Sequence, residues 1–165
     1  MKKWFVLVFA ALLLCGCGAQ TVFETVEDEA VLGVSIVEQT VQLTLPPEAA
    51  VPTAQSSQGG SLYICDGYTL MVQTLSGGDL NRTMQQVTGF SFDRLQSMKT
   101  KTGNITCYHT AWTAAGEAGD EVGRAVILDD GVHHYAVSVM APAESAGKLQ
   151  DTWSALLDSV SLHTD

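Results

Sequence analysis

"RAVILDDGVHHYAVSVMAP", residues 124–142, places a run of apolar alternation on either side of Asp130-Gly131. Alternation at period two reads as half-buried strand, and an Asp-Gly pair between two such runs is a strong hairpin signal. A two-residue turn predicts pairing of Leu128 with His133, Val126 with Tyr135 and Arg124 with Val137. Val126, Leu128, Tyr135, Val137 and Val139 then share one apolar face. Ala125, Ile127, His134, Ala136, Ser138 and Met140 share the other, a small or mixed set. Pro142 suits the entry to a helix, and Leu149, Trp153, Leu156, Leu157 and Val160 follow at the spacing of one helical face. Such an amphipathic helix of about four turns must bury its stripe, and the apolar hairpin face is the nearest surface. Helix and hairpin together predict the α+β class.

The same logic extends upstream. In "SLYICDGYTLMVQTL", residues 61–75, Asp66-Gly67 predicts a type I′ turn that pairs Cys65 with Tyr68 and Tyr63 with Leu70. Tyr63, Cys65, Tyr68, Leu70 and Val72 form its core side. Ser76-Gly77-Gly78-Asp79 breaks the strand, and Asp79 is an N-cap for a short helix over Leu80 to Val87 with Leu80, Met84 and Val87 on one stripe, closed by Gly89. A strand from Leu95 to Thr102, a Gly103-Asn104 turn and a strand from Ile105 to about Thr113 come next. "AAGEAGDEVG" reads as a Gly-rich acidic loop. Before all of these, Ile36 to Leu45 reads as strand, Pro46 and Pro47 stop it, and Ala49 to Gly60 is a loop.

The first residues carry a different signal. Lys2 and Lys3 precede an uncharged apolar run from Trp4 to Leu14, the length of an export signal and short of the roughly 20 residues that cross a bilayer. The run ends in Leu14-Cys15-Gly16-Cys17, which resembles the lipobox of bacterial lipoproteins. Gly16 at −1 and Leu14 at −3 select Cys17 as the acylated residue, whereas cleavage before Cys15 would put bulky Leu14 at −1. The expected organisation is a signal peptide over 1–16, a tether over 17–33 and one α+β domain over 34–165. A multi-chain lipid on Cys17 would hold stably, since each buried methylene contributes about 0.8 kcal/mol.

Without Lys2 and Lys3, six cations face 18 carboxylates, a net charge of −12. That balance opposes nucleic acid and electrostatic adhesion to anionic lipid. Cys65 and Cys107 remain in the exported part, where a disulfide between them and a pair of free thiols are both compatible with the sequence. The sequons at Asn81 and Asn104 are discounted, because a lipobox implies a bacterium.

The element order resembles the Mog1/PsbP-like fold over residues 36 to 162: a strand ending in "LTLPP", an early hairpin, a short helix, a meander, and a helix whose Trp153 precedes Leu157-Asp158-Ser159-Val160-Ser161-Leu162. The chain also resembles Gram-positive surface lipoproteins of this build. The resemblance implies an antiparallel sheet flanked by helices and a noncatalytic module that binds or scaffolds an envelope protein, with no binding residue carried over.

Asp129, Asp130, His133 and His134 form the most chemically suggestive cluster. Consecutive histidines on a strand point to opposite faces and do not readily share a metal, and no metal or cofactor motif is matched. His109 lies two residues from Cys107 on one strand face. An envelope hydrolase or metal-dependent enzyme using Asp129, His133 or His109 is therefore the alternative function, and a small-ligand carrier a third.

Overall fold

The structure, a computed structural model, describes residues 38–57 and 59–163. The leader, the tether, Cys17 and the domain boundary at residue 34 lie outside the described residues. Seven strands form an antiparallel sheet in the order β2-β3-β4-β8-β7-β6-β5. They are β2 (Ala54–Gln55), β3 (Ser61–Cys65), β4 (Tyr68–Ser76), β5 (Gln96–Thr102), β6 (Ile105–Gly116), β7 (Gly119–Asp129) and β8 (His133–Pro142). A separate two-stranded ribbon joins β1 (Thr40–Gln42) to β9 (Ser161–His163). Helix α1 (Leu80–Thr88) follows β4, and α2 (Ala143–Ala146), a single 3-10 turn and α3 (Gln150–Asp158) follow β8. The α+β class is the one expected.

The first hairpin has the expected register, Cys65 opposite Tyr68 and Tyr63 opposite Leu70. Its turn is not type I′. Only glycines adopt positive φ among the described residues, so Gly67 at φ 81° carries the reversal alone and Asp66 stays in ordinary conformational space. The second hairpin is shifted by two residues, pairing Leu128 with Tyr135, Val126 with Val137 and Arg124 with Val139 around a four-residue loop. An even shift leaves every side chain on its face, and Val126, Leu128, Tyr135, Val137 and Val139 are buried together as expected.

Trp153, Leu156 and Leu157 of α3 cover that face, with Tyr68 and Leu70 of β4 beneath them. The expected helix stops earlier than its apolar spacing suggested. Asp158 ends it, and Ser161–His163 turn to pair with Thr40–Gln42, so Val160 reaches the core from a connecting segment. The opposite face receives α1. Asp79 caps it by accepting from the Arg82 N–H at 3.1 Å, Gly89 closes it in the left-handed region, and Met84 packs on Tyr108, Ile127 and Ala136. The Gly-rich acidic stretch read as a loop is instead the end of a long hairpin. Strands β6 and β7 run through it to a turn of two residues, Glu117 and Ala118, because glycines at 116 and 119 permit the tight reversal.

Candidate functional site

The loop between β7 and β8 is organised by one carboxylate. Asp130 is 6% exposed; its Oδ1 accepts the N–H of Val132 at 2.8 Å and of His133 at 2.6 Å, and its Oδ2 accepts the Tyr135 hydroxyl at 2.9 Å. The Tyr135 oxygen in turn accepts the N–H of Gln39 at 2.9 Å. The carboxylate thus closes its own loop and, through Tyr135, fixes the backbone where the described chain begins. This bonding explains the two-residue register shift: an Asp that caps following N–H groups builds a four-residue loop, where Asp-Gly alone suggests two. Burial by itself would raise the Asp130 carboxyl. The bonds from the His133 and Val132 N–H groups and the Tyr135 hydroxyl, with the His133 imidazole nearby, outweigh it and hold the group below its ordinary value.

That depression sets a pH dependence. A carboxylate ionised more readily in the folded state contributes its stabilisation above its unfolded pKa of about 3.9 and loses it as pH falls through the folded value. Denaturant melts in acid are expected to show this loss, and Asp130→Asn is expected to flatten the slope below about pH 4. An unchanged slope in the variant would remove Asp130 from this role.

The histidines point apart as their strand positions require. His134 is buried on the α1 side, its Nδ1 2.6 Å from Thr83 Oγ1 and its Nε2 3.7 Å from Asp129. His133 lies on the opposite side, its Nδ1 3.5 Å from Asp130 Oδ2, an ion-pair distance without hydrogen-bond geometry. His109 sits opposite Val126 on the α3 side, while Asp129 faces the other way. Asp129, His133 and His109 are therefore not brought together. Among the described residues, no group of three or more His, Cys, Asp or Glu side chains is placed to hold a metal ion.

Cys107 and His109 do meet, Sγ to Nε2 at 3.3 Å. Burial raises the Cys107 thiol, and a bond to the Thr100 side chain lowers it by less. A thiol held protonated is a poor nucleophile. Cys65 is raised by burial as well, and both cysteines are free. The disulfide left open by the sequence is not formed. Strands β4, β8 and β7 stand between β3 and β6, four steps that amount to roughly 19 Å laterally at about 4.8 Å each, against the roughly 7 Å limit for bridged Cα atoms. Thermal melts with and without reductant are therefore expected to coincide; a Tm lowered by reductant contradicts the free thiols.

What remains open is part of the sheet itself. Among the described residues, helix α1 covers the His134 end of its face, and the far end is partly exposed. There Ile64, Thr69, Met140, Gly123 and Trp112 form one transverse row across five strands, flanked by Leu62, Met71 and Ser138 in the next. Ile64 is 61% and Met71 38% exposed. The Trp112 ring lies against the bare Gly123 backbone, where an added Cβ would come within 2.2 Å of it. No local signal in the sequence shows that α1 is too short to reach Trp112.

No family model matches the chain, and no curated protein matches it. The fold does have solved likenesses. A Bacteroides thetaiotaomicron protein aligns with a TM-score of 0.50 at 10% identity over 76% of this chain, which spans 46% of that one. LpqN, involved in cell envelope biogenesis of Mycobacterium tuberculosis, aligns at 0.48 and 12% identity, over 77% of this chain and 85% of its own. The Saccharomyces cerevisiae Ran-binding protein Mog1p aligns at 0.47 and 8%, over 76% and 95%. None of the three assigns this chain a family or a role.

Proposed function

We propose that this chain is a lipid-anchored, extracytoplasmic binding or scaffolding module of the bacterial cell envelope, noncatalytic, held through Cys17 at the outer face of the cell membrane. The leader ending in Leu14-Cys15-Gly16-Cys17 supports the placement, with residues 17–33 as the tether and 34–165 as the domain. Among the described residues no helix is long and apolar enough to cross a membrane, and a lipid on Cys17 needs none. The observation that carries the binding role is the pair of exposed apolar side chains, Ile64 and Met71, on the partly exposed face that runs from Ile64 to Trp112. Exposed contiguous apolar surface of this kind marks interaction sites, and aromatic and Met side chains are enriched in them.

The enzyme alternative uses Asp129, His133 or His109; Asp129 lies on the face of the sheet opposite the two histidines, and among the described residues no group of three or more His, Cys, Asp or Glu is placed to hold a metal. A photocrosslinking residue at Ile64 of the anchored protein in intact cells is expected to give a discrete adduct with an envelope protein. Met71→Glu with Trp112→Glu is expected to abolish that adduct. An equal adduct from Lys148, which is exposed on the α3 side, would contradict recognition through the apolar row.

A further inference from the structure

Charge is unevenly distributed along this acidic chain. Between Leu80 and Gly116 there are four cations, Arg82, Arg94, Lys99 and Lys101, and one carboxylate, Asp93. Three of those cations lie at β5, the edge of the sheet: Lys99 and Lys101 are within the strand, and Arg94 ends the 3-10 turn leading into it. Strand β5 pairs only with β6 among the described residues, and all seven of its residues are exposed. It holds no proline, and a strand of this length leaves a row of N–H and C=O groups facing outward.

The two faces beside this edge differ. On the α1 side, the register places Lys99 level with Tyr108 and Lys101 level with Thr106, and the Lys99 ammonium stands 5.6 Å from the Tyr108 ring centre. On the α3 side, Thr100 and Thr102 border a cavity of about 450 Å³ floored by Ile105, Cys107, Leu157 and Leu162. Side chains of any strand added to β5 would alternate between these surfaces, one set beside ammonium groups and the next toward an apolar hollow.

We propose that β5 is a docking edge for an extended peptide segment of a partner protein in which acidic and apolar residues alternate. The acidic side chains lie along Lys99 and Lys101, and the apolar ones enter the cavity beside Thr100 and Thr102. Lysines on an edge strand also repel a second copy's β5, so the same residues that admit an acidic strand discourage edge-to-edge self-pairing. The proposal deepens the binding-module reading and rests on it, while its test requires no lipid.

The test titrates the mature chain with a synthetic heptapeptide alternating valine and glutamate, and with its valine–lysine counterpart, by fluorescence anisotropy and hydrogen exchange. The valine–glutamate peptide is expected to bind at least 10-fold more tightly, to weaken with added salt, and to slow exchange at Gln96–Thr102. The double variant K99E/K101E changes only exposed side chains and is expected to reverse the preference while its circular dichroism is unchanged. Equal affinity for both peptides, no binding of either, or protection confined elsewhere overturns the proposal. So does protection of β5 that grows with protein concentration alone, which would make a second copy the occupant. In each of those cases, the state of Cys17 still decides the anchoring separately.

Discussion

Trp153→Ala is expected to lower the unfolding free energy by about 3–5 kcal/mol, the range for emptying the site of a large buried aromatic. Trp153 is 0% exposed and stands edge-on to Tyr68 at 6.2 Å, so it joins α3 to β4 across the whole core. Its indole N–H has no hydrogen-bond partner among the described residues. Trp153→Phe, which removes that unpaired donor while keeping a ring, is therefore expected to lose clearly less than the alanine variant. Urea melts monitored by circular dichroism measure both. If phenylalanine proves as damaging as alanine, the indole N–H has a partner and the packing described for α3 needs revision.

Asp130→Ala is expected to cost about 3 kcal/mol, because one truncation strands two backbone N–H groups and the Tyr135 hydroxyl, and each buried unpaired group costs about 1–3 kcal/mol before relaxation. Tyr135→Phe separates the contributions: it leaves the loop bonds of Asp130 intact and releases Gln39. Hydrogen exchange at Gln39 is then expected to quicken in both variants, while exchange at Val132 and His133 quickens only in Asp130→Ala. Identical patterns in the two variants would show that the carboxylate and the hydroxyl do not act as the chain described.

Local chemistry made the register of the first hairpin, though not its turn type, readable to the residue, since Asp66-Gly67 sits between two alternating runs and nothing nearby competes for the backbone. At the second hairpin the same dipeptide misled by two residues, because Asp130 satisfies backbone donors that a two-residue turn would not expose. The faces nevertheless survive, as period-two patterning constrains parity and not register. Strand β1 falls inside the longer strand expected over Ile36 to Leu45, but β9 was hidden: it has three residues, its partner lies at the other end of the described chain, and Val160 just before it continues the helical spacing of α3. For the candidate surfaces, the contact of Cys107 with His109 follows from their spacing. The partly exposed face from Ile64 to Trp112 does not, because it depends on how far a helix elsewhere in the chain extends over the sheet.

The body described here acts as proposed only if something ties it to the envelope. Intact mass of the protein extracted in detergent from its native membrane tests this directly. The expected mass is that of a chain beginning at Cys17 and carrying two or three acyl chains. A chain that keeps residues 1–16, or one whose Cys17 is unmodified, contradicts the account.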